Sequence, residues 1–274
     1  MSYLVNPFRF VTGGGPTYDP DAQDYFDRVA TAGCVIADDA KTVVNNFVLA
    51  LKAGDNYWSI IDHLNIFGAC GSLVGAAVPL KGSVNAQFFN IVAGDYNRKT
   101  GIKGNASNKY INTGRLITQQ AQNDAHYACH LTEAPTGNTS YFGAGGTTGG
   151  AVSYSGGGTS QHSVRLHYGN TAAIGPTGNF TGSFIISRAT TPAYVVRANS
   201  TNYSGSSGTV TQNPRQIFCL ARGNSTSNDT TPTAYTNARI LVFCCGVNCH
   251  TGVYTREGLD TLLTDFKNAM AALA

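Results

Sequence analysis

Residues 94–114, GDYNRKTGIKGNASNKYINTG, decide how this chain is read. A turn over Gly94–Thr100 leads to a short strand, Gly101–Gly104. A second turn, Asn105–Lys109, leads to another, Tyr110–Thr113. The chain before this stretch reads as helical, and nearly all of the chain after it reads as short strands. Asp95, Arg98 and Lys99 form a charged cluster here. With few carboxylates downstream to work with, they read as a structural turn.

Working back towards the N-terminus, Asp19-Pro20 is a helix start, with Asp at the N-cap and Pro at the first position. Tyr25, Phe26, Val29 and Ala30 follow at helical spacing, and Gly33 ends the run. A second helix, capped by Asp38 or Asp39, carries the stripe Val43, Val44, Phe47, Val48 and Leu51 and stops at Gly54. Asn56–Phe67 reads as a third, with Trp58, Ile61 and Leu64 three apart. Trp58, Ile61, Leu64 and Phe67 are expected to pack on the β region or on a neighbouring subunit. Residues 1–17 form an arm: an aromatic decapeptide and then Gly13-Gly14-Gly15-Pro16, a flexible break. Tyr3, Leu4, Phe8 and Phe10 either fold back on this chain or dock on another protein, and the glycines favour docking.

Working forward, apolar runs recur at Ser72–Pro79, Gln87–Val92, His126–Thr132, Val164–Tyr168, Ser183–Ser187, Ala193–Arg197, Gln216–Ala221 and Arg239–Gly246. Turn clusters separate them and no helical crossover intervenes, which predicts a sandwich or barrel. Gly143–Gly158 is glycine-rich but lacks the Lys-Ser/Thr and helix of a phosphate loop, so it reads as loops. Thr255–Leu273 closes the chain as an amphipathic helix. Leu259, Leu262, Leu263, Phe266, Met270 and Leu273 lie on one face, and Asp260, Asp265 and Lys267 on the other. The expected division is an arm (1–17), a helical module (18–67) and a β region (68–274) that includes the helix 255–273.

Charged residues make up 12% of the 274 residues, about half the usual share. Small polar residues take their place, as a turn-rich β surface requires. A net charge of +3 without any Lys/Arg run makes no nucleic-acid patch. No apolar stretch reaches the roughly 18 residues of a membrane span, and MSYLVNPFRF lacks the pattern of a signal peptide. The expectation is a soluble chain made in a cytoplasm, its seven cysteines reduced and most of them buried as small hydrophobes.

The reading of chemistry is mostly negative. A glycosidase needs two facing carboxylates, yet the chain holds two glutamates, Glu133 and Glu257, and Asp229 is the one aspartate between Ala125 and Tyr254. Asp229 with loop carbonyls leaves room for a weak calcium site. Cys244, Cys245, Cys249 and His250 lack paired zinc-knuckle spacing, and Cys244 and Cys245 should face opposite sides of a buried strand. His126 and His130 share one face of a strand and read as packing residues. No cofactor loop and no GxSxG nucleophile elbow is present, and no metal or cofactor is expected. Sugar contact has the most physical sense, through aromatic faces and amide donors on loops: Tyr141, Tyr154, Asn170, Tyr203, Asn224 and Tyr235. The competing reading is that Tyr and Asn simply populate turns and edges.

The succession Asp19-Pro20-Asp21-Ala22-Gln23, the segment Asn65-Ile66-Phe67, then Asp95-Tyr96-Asn97-Arg98-Lys99-Thr100-Gly101 resembles a family of tailed-phage virion proteins. Gly182-Ser183-Phe184-Ile185-Ile186-Ser187-Arg188 and Tyr235-Thr236-Asn237-Ala238-Arg239 extend the resemblance over roughly residues 19–270. It implies a mainly β fold: a concanavalin-A/laminin-G-like antiparallel β-sandwich (jelly roll), preceded by a short helical module and followed by a C-terminal helix. It also implies a non-enzymatic structural role on a virion assembled in the host cytoplasm. The leading expectation is a tail fibre, tip or baseplate appendage. It would be anchored to other virion proteins through Tyr3, Leu4, Phe8 and Phe10, and would be homo-oligomeric, with a trimer suiting a fibre. It would present the β region to a host-surface glycan. A capsid decoration protein clamping neighbouring subunits is the alternative, and a polysaccharide-acting enzyme a second. The resemblance carries over no catalytic or binding residue.

Overall fold

The computed structural model describes residues 17–145, 152–157, 160–167, 172–190, 192–208, 210–223, 231–249 and 254–274. The arm residues Tyr3, Leu4, Phe8 and Phe10 and the loop residues Asn170 and Asn224 lie outside the described residues.

Helix α1 (Pro20–Thr31) starts as the sequence predicts. The Asp19 carboxylate caps it by accepting from the Asp21 amide, and Pro20 takes the first turn. Ala22, Tyr25, Phe26 and Val29 form its buried face. Helix α2 (Asp38–Lys52) buries Ala40, Val44, Phe47, Val48 and Leu51. Its N-cap is Ala37 rather than an aspartate, and Asp39 is drawn off to accept from Arg98 at 2.8 Å. Helix α3 (Tyr57–Ile60) lasts one turn. The chain then becomes strand β1 (Ile61–Ile66), where the three-residue spacing predicted more helix. The cause is tertiary: Ile61–Ile66 finds an open strand edge along Arg239–Gly246 and pairs with it antiparallel. Helix α4 (Leu73–Ala76) is a single turn in a run expected as strand. The amides of Ala77 and Val78 bond back to the carbonyls of Val74 and Gly75 instead of to a neighbouring strand.

The strands that follow are β2 (Gln87–Phe89), β3 (Tyr96–Asn97), β4 (Gly101–Lys103), β5 (Tyr110–Leu116), β6 (Ala125–Glu133), β7 (Thr139–Ala144), β8 (Val152–Gly157), β9 (Ser160–Leu166), β10 (Ala172–Thr177), β11 (Gly182–Arg188), β12 (Ala193–Ala198), β13 (Thr201–Ser206), β14 (Gln216–Cys219), β15 (Arg222–Gly223), β16 (Pro232–Thr233) and β17 (Arg239–Gly246). Helix α5 (Arg256–Ala271) follows, with the Thr255 hydroxyl accepting from the Gly258 amide as its cap. The glycine-rich stretch read as loops contains the end of β7 and all of β8.

An eight-stranded sheet runs β13-β12-β11-β6-β17-β4-β3, with β1 also on β17, and a seven-stranded sheet runs β10-β9-β8-β7-β14-β5-β2. Every pairing among them is antiparallel. β17 is flanked by β6 on one side. On its other side it takes β4 at its first residues and β1 further along. The two sheets meet face to face: Phe142 lies 5.7 Å from Phe243, and Tyr154 lies 5.1 Å from Phe184, ring centre to ring centre. The molecule is thus mainly antiparallel β with few helices, an arrangement compatible with a β-sandwich.

Residues 18–67 and α5 form a third layer on the outer face of the eight-stranded sheet, with β1 inside that sheet. Val44, Phe47, Leu263 and Phe266 share one core with Ala128, Ile185, Val242 and Cys244. The rings of Phe47 and Phe266 stack at 4.3 Å. Cys244 faces this helical core and Cys245 faces the core between the sheets, as strand alternation predicts. Asp260, expected on the exposed face of α5, is buried and bonds Arg197 of β12 at 2.6 Å.

The stretch 94–114 is where the chain leaves one sheet for the other, since β4 belongs to the eight-stranded sheet and β5 to the seven-stranded one. Its polar residues hold that crossing. The Asn105 side chain accepts from the amides of Ser107, Asn108 and Lys109, and Lys109 pairs with Asp95 at 2.6 Å. Arg98 bonds Asp39 and the Ala274 carbonyl, and Lys99 bonds the Leu273 carbonyl, so the C-terminal layer is tied here too. Gly101 sits at φ +93°, and a Cβ there would run into the Ile240 backbone.

Candidate functional site

The outer face of the seven-stranded sheet is left uncovered by the helices and carries the most organised polar concavity. Tyr154 and Val164 point into the core between the sheets, so strand alternation turns Ser155, Ser163 and Arg165 outward. Register places Ser140 of β7 opposite Ser155 of β8, and Ser155 opposite Ser163 of β9. The three hydroxyls form a row across the sheet, and Ser140 and Ser155 bond at 2.8 Å. Arg165 stands two residues along β9. Arg222 reaches in from β15, which pairs with β16. Together with Asn138, Thr139 and Ala234 these residues line a cavity of 280 Å³.

The electrostatics of this cavity favour an anion. Arg165 is only 6% exposed. Burial, and then the adjacent charge of Arg222, lower its guanidinium to about 10. Arg165 therefore stays cationic at neutral pH while the charge of Arg222 opposes it, and a negative group between them relieves that opposition. A guanidinium fork matches a carboxylate in bidentate geometry, and a row of hydroxyls suits a polyol.

Aromatic side chains continue this face. Ile217 and Cys219 point into the core between the sheets, so Phe218 points outward. Tyr110 meets Phe218 edge-on at 5.5 Å, and Phe89 stacks on Tyr110 at 4.5 Å with the planes 4° apart. Phe89 is 37% exposed. Tyr235, next to Ala234 at the cavity wall, lies 6.1 Å from Tyr110 and donates its hydroxyl to the Pro232 carbonyl.

Of the described residues singled out from sequence, only Tyr235 stands beside this cavity. Tyr141 and Tyr154 are not loop residues. They lie on β7 and β8, fully buried between the sheets, with rings 5.7 Å apart and hydroxyls directed at His162. A bound sugar has no path to either, so they are corrected to core residues. Tyr203 is on β13 of the other sheet and packs against the same core. Arg165, Arg222 and the serine row were missed. The available signal was an arginine between two core residues, Val164-Arg165-Leu166, in a chain poor in charge.

A second cleft, of 260 Å³, separates α5 from β6 and β11 and includes His130, Ser183, Asp260 and Lys267. His130 Nδ1 lies 2.9 Å from Ser183 Oγ. Burial lowers His130 to about 4, leaving a neutral and weakly basic imidazole at pH 7. Ser183 is 3% exposed, and Asp260 is committed to Arg197. The geometry suits a satisfied buried pair rather than a nucleophile and its base. Burial would raise Glu133, but hydrogen bonds from Lys103 and Arg239 outweigh it and hold the carboxyl below its ordinary range. That is the opposite of what a general acid needs. Among the described residues no three His, Cys, Asp or Glu side chains gather as metal ligands. No described helix is long and apolar enough to cross a membrane.

No protein-family model and no curated protein matches the chain. Among solved structures it is similar to Trypanosoma rangeli sialidase in complex with 2,3-difluorosialic acid, at 12% identity and a TM-score of 0.48, over 85% of this chain and 40% of that one. It is also similar to the NanB sialidase from Streptococcus pneumoniae, at 11% identity and a TM-score of 0.42, over 58% of this chain and 26% of that one. The chain therefore spans well under half the length of either enzyme.

Proposed function

We propose that this chain is a non-enzymatic glycan-binding protein of a tailed-phage particle, a tail appendage whose seven-stranded sheet takes a carboxylate-bearing saccharide of the host surface. The single observation that carries the binding reading is the hydroxyl-lined cavity flanked by Arg165 and Arg222. The setting on a particle rests on the sequence resemblance over residues 19–270. The fold proposed with it is a concanavalin-A/laminin-G-like jelly roll. Support comes from the way the chain passes between the two sheets after β1, β2, β4, β5, β6, β10 and β13.

Several copies on one particle turn weak sugar contacts into firm attachment. The test is a glycan array probed with the full chain, oligomerised. Binding to sialylated or uronic-acid glycans that neutral analogues do not compete is the expected result, and no acidic hit at any density overturns the proposal. For the position on the particle, an antibody to residues 140–235 should label tails. Uniform labelling of heads would instead establish the capsid-decoration alternative.

A further inference from the structure

All seven cysteines are free and buried, but two of them have surroundings unlike a plain apolar pocket. Cys34 lies in the connection from α1 to α2, just after Gly33, which leaves the helix at φ +81°. Cys70 lies in the loop after β1. The two backbones run side by side: Ile36 and Cys70 form an antiparallel bridge, and the Gly71 amide donates to the Val35 carbonyl at 2.9 Å. That pairing sets the two cysteines side by side. A methyl group placed on Gly75 would lie 2.7 Å from Cys34 Sγ and 2.9 Å from the Cβ of each cysteine. Both Cβ atoms thus lie within 2.9 Å of one point, so the two cysteines are direct neighbours across this pocket.

The two sulfurs are not equivalent. The Ser72 hydroxyl donates to Cys34 Sγ at 3.2 Å, and the backbone amides of Ser72, Gly71 and Gly75 also favour a negative charge at that sulfur. Burial opposes a negative charge there, but these donors outweigh it and hold the Cys34 thiol below its ordinary value. Burial pushes Cys70 up to about 12 despite the Tyr25 hydroxyl 3.4 Å away. Cys34 is 5% exposed and lines a cavity of 160 Å³ with Tyr18, Phe26, Ile36 and Lys41, large enough for a small oxidant.

We propose that Cys34 and Cys70 form an oxidation site, in which Cys34 reacts with a peroxide and Cys70 closes a disulfide onto it. The Cys34 thiolate attacks one oxygen of hydrogen peroxide. The O–O bond breaks, an S–O bond forms, and the departing hydroxide is protonated to water. Cys70 then attacks the Cys34 sulfenic acid, the S–S bond forms, and the hydroxyl leaves with the Cys70 proton as a second water. Two thiols are oxidised by two electrons and one peroxide is reduced to two waters. The bond ties the α1–α2 connection to the loop that leads off the eight-stranded sheet, fastening the helical layer to the β layers. It is independent of the glycan reading.

The experiment treats the purified full chain with an equimolar amount of hydrogen peroxide and maps non-reduced peptides by mass spectrometry. A Cys34–Cys70 cross-linked pair and a thermal midpoint raised by several degrees are expected, both reversed by a dithiol reductant. In Cys70→Ser a dimedone adduct should accumulate at Cys34. In Cys34→Ser residue 70 should stay a thiol. If wild-type Cys34 and Cys70 both remain alkylatable after treatment, or if Cys34 is found linked elsewhere, the proposal is overturned. Because the wild-type peptide map decides the matter, a variant that fails to fold does not rescue it.

Discussion

Arg222 reaches the serine row from a strand of only two residues, half-buried, so its removal should act on binding more than on folding. Arg222→Gln is expected to weaken an acidic glycan by about 10- to 100-fold, the loss of a charge-assisted hydrogen bond of about 1.5–3 kcal/mol, with little change in melting temperature. Titration calorimetry on both proteins checks it. Arg165 is a poorer probe because it is buried as well as charged. Gly101 makes a structural prediction at the same scale. Its φ of +93° and the Ile240 backbone beside it leave no room for a side chain, so Gly101→Ala should cost about 2–3 kcal/mol in urea unfolding. Site residues were the least legible part of the sequence. Tyr141 and Tyr154 looked like loop aromatics because their neighbours are small and polar. Those same small residues are the outward half of strands whose inward half is the two tyrosines. Polar alternation marks a strand, but does not say whether the aromatic or the serine side is the one that meets solvent.

Among the elements, the helices with complete stripes were the most legible. α1 and α5 begin where their caps predict, and the apolar faces of α1, α2 and α5 are buried much as the spacing implies. Phe266 of α5 stacks on Phe47 of α2 where the helical layer meets the sheet. Phe266→Ala should therefore destabilise by about 3–5 kcal/mol, read as a lower denaturant midpoint with an unchanged slope. β1 was not legible. Ile61, Leu64 and Phe67 satisfy a helical spacing, yet the segment pairs with β17, because an unpaired edge there would leave a row of backbone donors and acceptors unmet. Gly246 tests this pairing. A Cβ on it would run into the Ile60 carbonyl, so Gly246→Ala should raise hydrogen exchange of the Ile61–Ile66 amides well above that of β6.

For the whole molecule, acid sensitivity follows from burial. His63, His130 and His167 are buried, and burial lowers each to about 4 from an ordinary value near 6.5. The unfolded chain therefore binds more protons than the folded one between these values. Stability is full above pH 6.5 and falls as the pH drops towards 4, by on the order of 3 kcal/mol for each histidine. Asp19, Asp95 and Glu133 have folded values below their ordinary ones and extend the loss further into acid. Thermal melts from pH 8 to pH 4 should show a falling midpoint that begins near 6.5, and a flat profile down to pH 4.5 would refute it.

By itself the sequence determined the order of the parts. Caps, stripes and alternation are local, and they marked a helical start, a long antiparallel β region and a closing helix. Only the tertiary structure decided that residues 94–114 make one of several crossings between the two sheets, that residues 18–67 and α5 form one layer, and that Arg165, Arg222 and three serines meet on one face. Those results depend on strand order and register across well over a hundred residues. Each is chosen by which edges and apolar faces remain to be covered once the others have paired, and no local spacing records that choice.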